Sequence, residues 1–356
     1  MSKKTRDEYI DIDATEEPEE EEKDNIKYQI TYYPSDLTLK GYLDKWNDKQ
    51  LIIPEFQRQY VWDQIRASKL IESFLLGLPV PGVFLYKERK TNNLLVIDGQ
   101  QRIMTAIRFF TNKFDEKIFR LKNVNSKWNE KTYDDLSKSE KYALSDSILR
   151  ATIVQQVDPN DDSSIYHIFE RLNTGGMNLT PMEIRKCVYY SAFFKLLEEL
   201  NKNGIWRSII GNKILDKRLR DVEFILRFLA MRDGWENYEK PMKSFLNYYM
   251  AKHKSGQADD TIDETRKVFL NTCQYIIDKL GEKPFHLRGK LNLAVMDSVM
   301  TMMSIAAEKQ IRNTRRAFTR LLKDKKYYED VTINTSDNVA VGRRFKKAIQ
   351  YHLAKT

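Results

Sequence analysis

VIDGQQRIMTAIRFF, residues Val96–Phe110, opens on β-branched strand residues, passes one glycine and continues with the apolar spacing of a helix. A strand–glycine–helix junction of this kind belongs to a mixed α/β domain. Its oddity is Arg102. The first turn of a helix carries partial positive charge and favours acidic residues, yet this one holds a cation. In an ordinary reading Asp98 caps the helix, Gln101 completes a capping box, Gly99 permits the turn, and Arg102 reaches solvent or pairs with a carboxylate. In a functional reading the turn expects an anion. A phosphate would accept from the first-turn N–H groups and from Arg102 together. Gly99 would let the backbone approach it, and Gln100 and Gln101 would add amide donors. Asp98, at the strand end, would hold a metal ion such as Mg2+ or orient a water.

Upstream, GVFLYKE and NNLLVID are β-rich runs joined by a polar turn at Asn92 and Asn93, a hairpin pattern. Before them, PEFQRQYVWDQIRASKLIESFLLGLPVPG reads as a loop and then a helix. Asp63 caps that helix, Ile71, Leu75 and Leu78 form its apolar face, and Gly77 and Pro79 end it. The loop sets Gln57 and Arg58 among apolar neighbours. Glu72, within the helix, is placed to pair with Lys69 on the surface.

Downstream, KIFRLKNV and RATIVQQVD read as strands, and SKSEKYALSDSIL as a helix opened by a Ser137–Glu140 capping box. DSSIYHIFERLN is a helix that should end at Asn173. After it, TGGMNLTPMEIRK holds a glycine turn and a second capping box, Thr180 to Glu183 with Pro181 between. Arg171, Asn173 and Thr174 at that turn form either a plain helix end or a second loop that contacts phosphate or base. After Ala192 the β-rich runs stop and amphipathic helical segments follow one another. The organisation expected is α+β: an acidic, disordered tail over 1–25, a mixed domain over 26–190 and an all-helical domain over 191–356.

Net charge is +9 despite the acidic tail DEYIDIDATEEPEEEEKDN, so the body is more basic than the whole. Basic segments such as NTRRAFTRLLKDKK and GRRFKKAIQYHL suit the DNA backbone, or are simply solvated helix faces. No apolar run has the length of a membrane span, and the polar N-terminus is no secretory signal, so a cytoplasmic protein is expected. Cys187 and Cys273 are far apart within helical segments and read as buried thiols.

IPEFQRQYVW, IESFLLGLPVPGVFL, VIDGQQRIMTAIRFF and IFERLNTGGMNLTPMEIRK, in this order, resemble the N-terminal domain of GmrSD-type restriction endonucleases. The likeness covers roughly Ile26 to Tyr190. It implies a ParB/sulfiredoxin-like fold and a role in defence against foreign, often modified, DNA. It also implies that the DGQQR motif binds and hydrolyses a nucleoside triphosphate, with Asp98, Gln100, Gln101 and Arg102 in the matching places and Asp98 and Arg102 as the catalytic pair. Arg58 falls on the family's FQR position, and Arg171 and Asn173 on its F-x-R-x-N position. Relatives that cut DNA often carry an HNH nuclease domain after the helical region, and such a site needs clustered histidines. His167, His253, His286 and His352 are scattered, so the chain is expected to act with a separate nuclease. Two alternatives stay open: a DGQQR-dependent nickase, and a nucleotide-gated DNA-binding module without turnover. A sulfiredoxin-like redox role is disfavoured, because the motif has no thiol.

Overall fold

The structure is a computed structural model that describes residues 30–54, 60–89, 91–157, 163–172, 179–254, 259–311 and 313–353, with only the backbone of 163–165, 171, 172, 259 and 353. The acidic segment 1–25, Gln57, Arg58 and Asn173 therefore lie outside the described residues. The chain falls into two compact units, one within residues 26–178 and the other within 179–356. The family resemblance runs past that boundary, to Tyr190.

The first unit is mixed α+β. In chain order it comprises β1 (Ile30–Thr38), α1 (Leu39–Asn47), β2 (Leu51–Ile52), α2 (Gln64–Leu75), β3 (Val83–Lys87) and β4 (Leu94–Asp98). It continues with α3 (Gln100–Phe110), β5 (Lys113–Phe114), β6 (Lys117–Ile118), α4 (Lys138–Asp146), β7 (Ile148–Gln156) and α5 (Ser163–Leu172). Five strands form one sheet in the order β1-β7-β3-β4-β2. β1 runs antiparallel to β7, β7 parallel to β3, β3 antiparallel to β4, and β4 parallel to β2. The expected hairpin is thus β3–β4. β1 is a nine-residue edge strand that carries Pro34 in its middle, a position open to proline because an edge does not need every N–H for the ladder.

One apolar core sits between the sheet and helices α1, α2 and α3. Tyr42, Ile71, Phe74, Ile103, Ala106 and Phe109 meet Val83, Leu85, Val96 and Ala151 there. α2 starts where Asp63 accepts from Arg66 N–H, and Gly77 follows its end at φ +68°. Its buried face is Ala67, Leu70, Ile71 and Phe74. Leu78, expected on that face, lies beyond the last helical residue and is half exposed. The expected strand KIFRLKNV shrinks to Lys117–Ile118. Phe119 and Leu121 are buried, but their backbone bonds go to Asn112, Lys131 and Glu130 in loops, so the run joins no larger sheet. Glu72 pairs with Lys69 at 2.8 Å and also accepts from Asn125 N–H at 2.6 Å.

Among the described residues the second unit is helical apart from one two-stranded ribbon. It comprises α6 (Pro181–Val188), α7 (Ala192–Leu200), α8 (Gly204–Ile210), α9 (Arg220–Gly234), α10 (Met242–Lys254) and α11 (Asp259–Leu280). The ribbon β8 (His286–Leu287) and β9 (Lys290–Leu291) follows, then α12 (Leu293–Glu308), α13 (Thr314–Leu322), α14 (Lys325–Asp330) and α15 (Asn338–Leu353). α6 starts on the expected Thr180–Glu183 box with Pro181 in its first turn. α12 is buried along almost its whole length and packs against α9, α11 and α15. It brings Asp297 to two arginines in the interior: Arg227 donates to it at 2.7 Å, and Arg344 lies at 3.5 Å. Cys187 and Cys273 form no disulfide, and burial raises the Cys273 thiol well above its usual range. Among the described residues no helix is long and apolar enough to cross a membrane.

Candidate functional site

The DGQQR turn sits where the hairpin hands over to α3. The β3–β4 register slips by one beside it: Leu85 faces Val96, but Phe84 faces Asp98. Such a bulge re-aims the last residue of a strand. Asp98 emerges with its side chain 47% exposed.

Gly99 follows in the left-handed region, at φ +95° and ψ 10°. It is required there twice over. The positive φ disfavours any side chain, and a Cβ at this position would lie 2.2 Å from Val83 Cγ1. Gly99 is also the N-cap of α3, and no side chain caps the helix. The capping box offered by the ordinary reading, Asp98 with Gln101, is therefore not formed. Both side chains are used elsewhere. The first bond of the helix ladder runs from Ile103 N–H to Gly99 C=O at 3.0 Å. The N–H groups ahead of it have no intrahelical acceptor, as at any helix start.

Arg102 turns back on the strand end. Its Nη2 donates to Asp98 Oδ2 at 2.8 Å, one helical turn away. The pairing with a carboxylate that the ordinary reading offered is thus present. Only 18% of the arginine side chain is exposed, so the carboxylate is the more open partner. A guanidinium has five N–H donors, and among the described residues this one uses a single donor, on Asp98. Behind it, Tyr42 donates to Leu149 C=O at 3.0 Å. Burial raises the Tyr42 phenol far above its usual range, and the charge of Arg102 opposes that rise.

Gln101 works sideways. Its Oε1 accepts from Val61 N–H at 3.0 Å and from Trp62 N–H at 3.2 Å. One turn on, Thr105 Oγ1 meets the Tyr60 hydroxyl at 2.7 Å. One further turn on, the Arg108 guanidinium lies 3.9 Å from the Tyr60 ring centroid and bonds Asp115 at 2.8 Å. Gln101, Thr105 and Arg108 share one helix face and together strap residues 60–62 onto α3. Tyr60, Thr105 and Arg108 carry no motif. The i, i+4, i+7 spacing of Gln101, Thr105 and Arg108 is the only sign of the strap in the sequence, and it equally fits a surface stripe.

The segment so strapped directly follows Gln57 and Arg58, whose own positions lie outside the described residues. Gln100 opens α3 and is partly exposed. Arg171 belongs to α5, which packs beside β4, but its side chain and Asn173 are outside the described set. Among the described residues no three His, Cys, Asp or Glu side chains gather as a metal site.

The hairpin of a mixed α+β unit thus ends in an Asp-Gly-Gln-Gln-Arg helix start. Residues 39–190 match the family described as GmrSD restriction endonuclease, N-terminal domain. Comparison with curated proteins gave no match.

Proposed function

We propose that the chain is the nucleotide-binding and nucleotide-hydrolysing, DNA-sensing subunit of a GmrSD-type restriction system, acting on foreign DNA with a separate nuclease. The family of residues 39–190 supports the restriction setting. The ParB/sulfiredoxin-like reading of the first unit belongs to the same proposal. The observation that carries the nucleotide site is the mouth of α3: a glycine-capped helix start with no capping side chain, beside a guanidinium with one donor engaged. Uncapped backbone donors and an arginine in the same helix turn suit a phosphate chain.

In this reading Arg102 holds the phosphates, Gly99 keeps the approach clear, and Gln100 and Gln101 line the turn. Gln57, Arg58, Arg171 and Asn173, whose side chains lie outside the described residues, are the further nucleotide contacts this reading assigns. Asp98 orients a water or holds Mg2+. Magnesium takes few protein carboxylates and completes its shell with phosphate oxygens and water, so a lone Asp98 fits its donor habits. When bound, the ion would neutralise phosphate charge.

Calorimetric titration with ATP and GTP tests the site. Arg102→Ala should weaken binding about 10- to 150-fold, the worth of a charged hydrogen bond. Asp98→Ala should spare binding more than turnover. Thermal melts of both variants guard against loss of the fold. Equal affinity in wild type and Arg102→Ala would remove the assignment. Plasmid nicking by the isolated chain that disappears in Asp98→Ala would favour the nickase instead. Binding without turnover in wild type would favour a nucleotide-gated module.

A further inference from the structure

The positive charge of the chain is concentrated at one end. Residues 309–356 contain 13 Lys and Arg against 4 Asp and Glu, which equals the entire +9 of the protein. From Lys309 to Lys323 there is no acid at all. Three of the four acids that follow are already engaged. Asp324 accepts from Lys347 and Tyr351, Glu329 from Lys326, and Asp330 from Arg343.

α13 concentrates what remains. Thr314, Ala317 and Leu321 are buried, on the side of the helix that packs with α15. Arg315, Arg316, Arg320 and Lys323 are exposed, on the opposite arc. None of these four makes an ion pair with a described residue, and Arg320 rests over the Tyr351 ring at 5.9 Å. Arg315 and Arg316 lie in the first turn of α13, which has no acidic residue and no side-chain cap. Cations at that end of a helix lack the favourable dipole, and an external anion would relieve them.

We propose that this face of α13 holds the phosphate backbone of duplex DNA. The proposal rests on the reading that the chain acts on DNA. It adds the surface. Three of the four cations are arginines, whose planar fork matches phosphate oxygens in pairs. A row of cations without carboxylate partners gains affinity from duplex DNA by releasing its condensed counterions. A partner with scattered carboxylates offers no comparable line of charge.

The test is fluorescence anisotropy of the full chain with a labelled duplex over a potassium chloride series. Arg315→Gln/Arg316→Gln/Arg320→Gln should lower the slope of log affinity against log salt by about 0.9 for each phosphate left unneutralised, roughly 2 to 3 in all. Lys113→Gln/Lys117→Gln/Lys122→Gln, exposed positions of the first unit, should leave the slope unchanged. Matching thermal melts show that both triple variants fold. Equal reductions in the two variants would reduce the effect to net charge and overturn the face. Wild-type binding with an unchanged slope in the α13 variant would overturn the face and keep the DNA reading. No duplex binding at any salt, with or without residues 1–25, would remove the DNA reading and the face with it. Binding that appears only when the acidic residues 1–25 are removed, and that needs the three arginines, would support the face and mark that segment as its competitor.

Discussion

Gly99 and Gln101 show how differently neighbouring motif residues are constrained. Gly77 and Gly99 both have positive φ, but a Cβ at Gly77 meets no atom within 4 Å, whereas one at Gly99 strikes Val83. Gly77→Ala should cost about 1 kcal/mol, from backbone strain alone. Gly99→Ala should cost several times more, because β3 must also shift, and paired urea titrations would measure the gap. Gln101 uses its carbonyl oxygen on two backbone donors, which fixes the orientation of the amide. Gln101→Glu keeps that acceptor, so it should hold the strap and melt near wild type, while Gln101→Leu should melt lower. If the Gln101 side chain instead meets a phosphate, the glutamate will abolish nucleotide binding, so titrating both variants separates the two roles. The motif and its turn are legible in the sequence because every constraint on Gly99 lies within a hairpin. The strap is not, since Val61 and Gln101 are 40 residues apart and no local pattern links them.

Among the elements, α12 and α15 carry a buried charge cluster. Asp297 faces Arg227 and Arg344, all three are buried, and Arg344 Nε and Nη2 have no hydrogen-bond partner among the described residues. Asp297→Asn would remove the carboxylate that both buried cations face and should destabilise the protein by about 3–5 kcal/mol. Arg344→Met keeps the Arg227–Asp297 pair and loses the bond to Thr335 C=O, so by denaturant titration it should cost less than Asp297→Asn. The start of α14 sets an acid limit. Burial would raise the Asp324 carboxyl, but bonds from Lys347, Tyr327 N–H and Tyr351 outweigh it and hold the group down to about 2. A carboxyl depressed by folding contributes stability above its unfolded value, and that contribution is lost as pH falls from about 4 towards the folded value. Asp324→Asn keeps a capping side chain and loses the charge. Its stability should therefore be lower at neutral pH and flatter over that acid range, as followed by circular dichroism. The capping boxes at Ser137 and Thr180 were legible because they are four-residue patterns. The triad was not, because its members sit on three helices and each reads alone as a solvated charge.

For the whole molecule, the change from mixed to helical texture is readable from periodicity, and so is the hairpin that leads to the motif. The partner of β7 is not. β1 pairs with it across more than a hundred residues, from Ile30 with Gln156 to Thr38 with Ile148. Proline and aspartate inside ITYYPSDLT hide the strand, because both are depleted in strands. Those same residues have a consequence for the protein in a tube. Tyr32 is 72% exposed on a long edge whose outer row of backbone groups would otherwise template another chain. Pro34 interrupts that row. Pro34→Val should leave the fold and the helix start at Gly99 intact, yet concentrated samples should turn cloudy on storage and bind thioflavin, while wild type stays clear. One imino acid on the edge of the sheet would then set how long a solution of this protein keeps.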